Sequence, residues 1–163
     1  MSGLKNDSLA QLIRRGGIYY EVGGNDRAEF MSDFIGRLTA LPPEKKQALF
    51  LAVMEREALM STGIEKGIAL PHPRTPMLED GEEPFAAIAF PLSPLDWDTS
   101  DNSKVHTVFL IVSKSPKQHL GVLSGINVLC GGKDFFSLLS KQAEKEEIIA
   151  AIEEAEKNWG ENG

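Results

Sequence analysis

The run VHTVFLIV, residues 105–112, limits the fold more than any other stretch of the chain. Valine, isoleucine and phenylalanine favour a pleated backbone, and apolar residues on both alternating faces suit a central strand covered on two sides. The next residues supply one cover. Ser115 and Gln118 stand at capping-box spacing with Pro116 in the first helical position, which opens a helix expected to turn Leu120, Leu123, Ile126 and Leu129 inward. Gly131-Gly132 breaks that helix, and two further helical stretches follow, around Phe135-Phe136 and Leu138-Leu139 and then through EEIIAAIEEAEKN.

The same interleaving runs through the first half. Asp7 or Ser8 caps a short helix carrying Leu9, Leu12 and Ile13, which Gly16-Gly17 stops. Ile18, Tyr20 and Val22 alternate as in a half-buried strand. Asp26-x-x-Glu29 is a capping box for an amphipathic helix with Phe30, Met31, Phe34, Ile35, Leu38 and Leu41 on its inner side. Pro42-Pro43 ends it and begins the next helix, which is apolar almost all round from Ala48 to Ala58 and is therefore expected to be well buried. Beyond a loop at MLEDGEEP, residues 85–90 (FAAIAF) read as a strand, and PLSPLDWDTSDNSK reads as the clearest loop in the chain. Short strands between helices imply an α/β layer fold, a mixed sheet with helices on both faces, and one domain spanning residues 1–163.

One motif stands out from this framework. In STGIEKGIALPHPR, residues 61–74, His72 sits between Pro71 and Pro73 directly after the apolar Ile68-Ala69-Leu70. The prolines fix φ on both sides and donate no hydrogen bonds, so the imidazole is presented by a stiff ribbon. Gly63 and Gly67 let the preceding loop turn tightly, and Ser61 and Thr62 place hydroxyls beside main-chain amides. An isolated histidine is more often structural, but a rigid neutral imidazole beside donors is suited to attack a phosphoryl group. Such a group needs donors for its charge. Arg56, near the end of an apolar helix, and His119, in the first turn of the helix capped by Ser115, are the candidates. The competing readings are an ion pair of Arg56 with Glu55, Glu57 or a remote acid, and ordinary packing for His119. His106, inside an apolar strand, reads as a packed or hydrogen-bonded core histidine, and a metal site drawn from the three histidines is not expected.

EREALMSTGIEKGIALPHPR resembles the signature of the fructose/mannitol-type IIA domain of the bacterial phosphotransferase system, which includes the nitrogen-regulatory (PtsN-like) IIA proteins. VHTVFLIVSKSPKQHLGVLSGI is similar to the second landmark of that family, a buried strand leading to a helix that begins with His-Leu. The resemblance spans most of the chain and is weakest before about Asp26. It implies that His72 accepts phosphate from an HPr-like carrier, with Arg56 and His119 stabilising its charge; the hydroxyls of Ser61 and Thr62, read from the residues themselves, are expected in a phosphate-binding loop beside it. Two departures stand out. Glu65-Lys66 replaces residues that are commonly glycine and a small or polar side chain, with long side chains expected at the partner-facing rim. Pro73 follows His72 where a more flexible residue is common.

The expected activity is phosphotransfer to a IIB protein or a regulatory phosphorylation, the latter slightly favoured for a module without an attached IIB or membrane segment. The alternative is a binding module of the same fold that senses partners without transfer. No cofactor is called for, because a donor phosphohistidine is already a high-energy species. The net charge of -7 argues against general nucleic-acid or anionic-membrane binding. One cysteine, Cys130, leaves no internal disulfide. The absence of an apolar signal core or a spanning run points to the cytoplasm.

Overall fold

In the computed structural model, residues 8–162 are described, and their strands form a four-stranded mixed sheet in the order β1-β3-β4-β2. The strands are β1 (Ile18–Val22), β2 (Ile68–Ala69), β3 (Phe85–Pro91) and β4 (Thr107–Val112). β3 pairs antiparallel with β4, while β1 lies parallel to β3 and β2 parallel to β4. The helices are α1 (Leu9–Gly16), α2 (Arg27–Arg37), α3 (Pro43–Leu59), α4 (Pro116–Gly131), α5 (Lys133–Ser140) and α6 (Lys145–Asn162).

Alternation along the strands divides the interior into two cores, one on each face of the sheet. Ala86, Ile88, Phe90, Phe109 and Ile111 join residues of α1, α4, α5 and α6. Phe85, Ala87, Ala89, Val108, Leu110 and Val112 join residues of α2 and α3. The expected mixed sheet with helices on both faces is therefore found. Ser8 caps α1 through Gln11 N–H; Asp7, the other capping candidate, lies outside the described residues. Gly16 ends α1 hard against β3, where an added Cβ would lie 2.0 Å from the Ala86 carbonyl oxygen. Asp26 and Ser115 cap α2 and α4 as their spacing predicts.

Several elements differ from the sequence expectation. α3 is not buried all round: only Leu49, Val53 and Glu57 are buried on it, and Leu51 is 56% exposed. These positions, four apart, form a single stripe against the sheet, and apolar residues off it are left outside. In the same way, α4 turns Val122, Ile126 and Leu129 inward, whereas Leu120 is 66% exposed. α2 stops at Arg37, because Leu38 is extended, yet Leu38 and Leu41 remain buried beyond it. β4 begins at Thr107, since Val105 forms a separate antiparallel bridge with Leu95. His106 thus precedes the strand instead of lying within it.

Candidate functional site

The loop leading to His72 is built around one buried carboxylate. Glu57, 4% exposed in the last turn of α3, accepts hydrogen bonds from Thr62 N–H, Thr62 Oγ1, Trp97 Nε1 and Arg27 Nη1. A buried charge is tolerable only when its oxygens are satisfied in this way. Residues 62–64 then fold back along 68–70. Ile64 N–H donates to the Ile68 carbonyl and Leu70 N–H to that of Thr62, with the turn closed by Lys66 in a left-handed conformation at φ 64°. Pro71 is pinned to β4 by Ile111 N–H, 3.1 Å from its carbonyl oxygen. The imidazole after it therefore projects from a short, fixed segment.

His72 Nδ1 lies 2.8 Å from the Leu70 carbonyl oxygen. A carbonyl only accepts, so Nδ1 carries the proton and Nε2 keeps its lone pair. The His119 ring faces it at 4.2 Å between centroids, tilted by 49°, from the first turn of α4. Burial lowers the proton affinity of His72, and the Arg56 charge lowers it further against the opposing Leu70 hydrogen bond. His119 is depressed to about 4 by burial, then by His72 and Arg56. Both rings are therefore neutral at pH 7, with a guanidinium close enough to act on each.

Arg56 makes no ion pair with Glu55 or Glu57; its Nη1 donates to the Met60 carbonyl at the end of its own helix, 2.6 Å away. The hydroxyls of Ser61 and Thr62 serve the loop itself. Ser61 Oγ donates to the Trp97 carbonyl at 2.5 Å and accepts from Gly63 N–H, while Thr62 donates to Glu57. The structure thus brings His72, Arg56 and His119 into one electrostatic neighbourhood and gives Ser61 and Thr62 a shaping position beside it. His106 has other partners: Nε2 bonds the Lys66 carbonyl, Nδ1 bonds Thr107 Oγ1, and its edge meets Phe136. Lys66, expected at a partner-facing rim, lies over the Phe136 ring at 5.7 Å.

Comparison with known proteins then decides the family. The model for "Phosphoenolpyruvate-dependent sugar phosphotransferase system, EIIA 2" matches residues 12–155. The chain belongs to this family. Among EIIA 2 relatives, the nitrogen regulatory protein of Escherichia coli (strain K12) is 30% identical over 130 residues, covering 78% of this chain and 77% of that one. The fructose-specific EIIABC component of Bacillus subtilis (strain 168) is 31% identical over 116 residues, or 69% of this chain and 18% of that one. The crystal structure of nitrogen regulatory protein IIA-Ntr from Neisseria meningitidis has the same fold, with a TM-score of 0.74 at 21% identity over 88% of this chain and 97% of that one. Among the described residues of this EIIA 2 chain, no single helix is long and apolar enough to cross a membrane.

The sequence reading named the three residues of the pair and its guanidinium but missed what supports them. Glu57 appeared only as a possible ion-pair partner of Arg56, and Trp97 was hidden in a stretch read as polar loop. Trp97 is fully buried, with Leu95 and Thr99 buried on alternate positions beside it. That period of two across LDWDT was the available signal.

Proposed function

We propose that this EIIA 2 protein is a phosphocarrier in which His72 Nε2 accepts a phosphoryl group from a phosphohistidine on an HPr-like protein. The observation that carries this is the Nδ1 hydrogen bond to Leu70, which fixes the tautomer and aims the one free lone pair. In the transfer, Nε2 forms the new P–N bond while the donor ring keeps the electron pair of the bond that breaks. The acceptor ring gains positive charge, which the Leu70 carbonyl holds through Nδ1–H. The guanidinium of Arg56 and the neutral ring of His119 stabilise the equatorial oxygens, where a preorganised donor is typically worth 10²–10³ in rate. Ser61 and Thr62 contribute by fixing the loop around Glu57.

Between onward transfer to a IIB protein and a regulatory phosphorylation, the match over most of the nitrogen regulatory relatives supports the regulatory role, exerted through a target protein in the cytoplasm. Incubation with phosphoenolpyruvate, enzyme I and an HPr-type carrier is expected to give an acid-labile, base-stable phosphate at His72. A folded chain that stays unlabelled is a binding module and ends this reading.

A further inference from the structure

His119 also forms part of a second feature, a pocket of about 220 Å³ between residues 73–76, the end of β4 and the start of α4. Its apolar walls are Pro73, Pro76, Ile111, Pro116 and Leu120. The polar exceptions are informative. Ser113 is only 8% exposed, and its Oγ is the one buried side-chain polar atom without a partner among the described residues. Native structures seldom leave such a hydroxyl unsatisfied, and Ser113 is one of the residues that line this pocket. Arg74, on the exposed side of the pocket, makes no hydrogen bond or ion pair among the described residues.

We propose that this pocket binds a small monocarboxylic acid with a compact apolar body, its carboxylate held by Arg74 and the Ser113 hydroxyl. Three prolines in the wall offer no N–H donors, and a single guanidinium with a hydroxyl matches one carboxylate better than a phosphate dianion, which requires more donors. The walls fit a branched or cyclic body of about the size of 3-methylbutanoate. Because His119 lines the pocket and packs on His72, occupancy couples to the phosphoryl site. This coupling rests on the phosphocarrier reading; the binding does not. A carboxylate and a phosphoryl group repel, so the acid resists phosphorylation and, by linkage, phosphorylation weakens binding of the acid by the same factor.

The test is an NMR titration of the isotopically labelled, unphosphorylated chain with 3-methylbutanoate, 3-methylbutanamide and inorganic phosphate in parallel. The expected result is saturable shifts at Arg74, Ser113 and Leu120 with a Kd of about 1 mM or tighter, which so few atoms can deliver. Arg74→Gln and Ser113→Ala each weaken the acid by about tenfold, as does the neutral amide. Ser113→Ala removes an unsatisfied group, so its folding is not at risk. Equal binding of acid and amide, preference for phosphate, or no saturable shift overturns the proposal. With no phosphoryl donor in the sample, a failure of phosphotransfer neither produces nor hides any of these results.

Discussion

His72 and His106 lean on opposite ends of β2. His72 Nδ1 bonds the carbonyl of Leu70, just after the strand, and His106 Nε2 bonds that of Lys66, just before it. Both rings are half-buried, and burial makes both less basic. They differ in the second nitrogen. His106 accepts there from Thr107 Oγ1 at 2.8 Å, so the ring is saturated and serves as a strut. His72 has no such partner among the described residues and meets His119 and the field of Arg56 instead. The two histidines thus differ in one withheld hydrogen bond and in the neighbours that stand in its place.

The sharpest way to break that comparison is to delete each ring. His72→Ala is expected to lose all phosphate labelling, while His106→Ala keeps it; labelled His72→Ala at histidine, or unlabelled but folded His106→Ala, would reverse the assignments. Arg56 comes next. Among the described residues its one direct bond is to its own helix end, so Arg56→Gln is expected to melt like the parent and to transfer about 10²–10³-fold more slowly in single turnover. Arg56→Lys should fall between them, a point charge replacing a fork. A large fall in melting temperature with unchanged transfer would make Arg56 structural.

Much of the fold was legible in the sequence. The strands, caps and helix order were readable because they are local patterns, and the motif around His72 stood out because two prolines and two glycines constrain a single short segment. The ligation of Glu57 was not readable, because Arg27, Thr62 and Trp97 come from three separate segments that only the fold brings together. The orientation of α3 was also out of reach. Its sequence is apolar on several faces, and the stripe at Leu49, Val53 and Glu57 was selected by the sheet it packs on. His106 lay in an apolar run, and the bridge between Val105 and Leu95 that ends this run is again a distant pairing.

A smaller effect tests His106 as a strut. His106→Ala leaves the Lys66 carbonyl and Thr107 hydroxyl short of a partner, at a cost of about 1–3 kcal/mol. For a chain of this length that lowers the melting temperature by about 2–10 °C. Gly67, whose added Cβ would lie 2.5 Å from the His106 ring, is in a left-handed conformation at φ 78°, so Gly67→Ala should displace the same ring. Unchanged melting of both variants would remove the structural role.

The most gradual expected effect is on pH dependence. The folded chain holds His119 at about 4, below the unfolded value of about 6.5. Above pH 6.5 the ring is neutral in both states and the stability is complete. As pH falls from about 6.5 to about 4, the unfolded chain takes up a proton that the folded ring refuses, and stability declines. His119→Asn should flatten that part of the melting curve against pH without abolishing the slope, because His72 and His106 are depressed in the same direction. An identical slope in the variant would contradict the neutral His119.

β2 is two residues long and forms the outer margin of the sheet. Such a margin invites a foreign strand to pair with it. Here the returning segment at 62–64 occupies it, through the Ile64–Ile68 and Leu70–Thr62 hydrogen bonds and the bridge of Gly63 to Ala69. The loop beside His72 thus covers a margin that would otherwise be open to another strand. A change that loosens this loop therefore also uncovers the sheet margin to other copies of the chain.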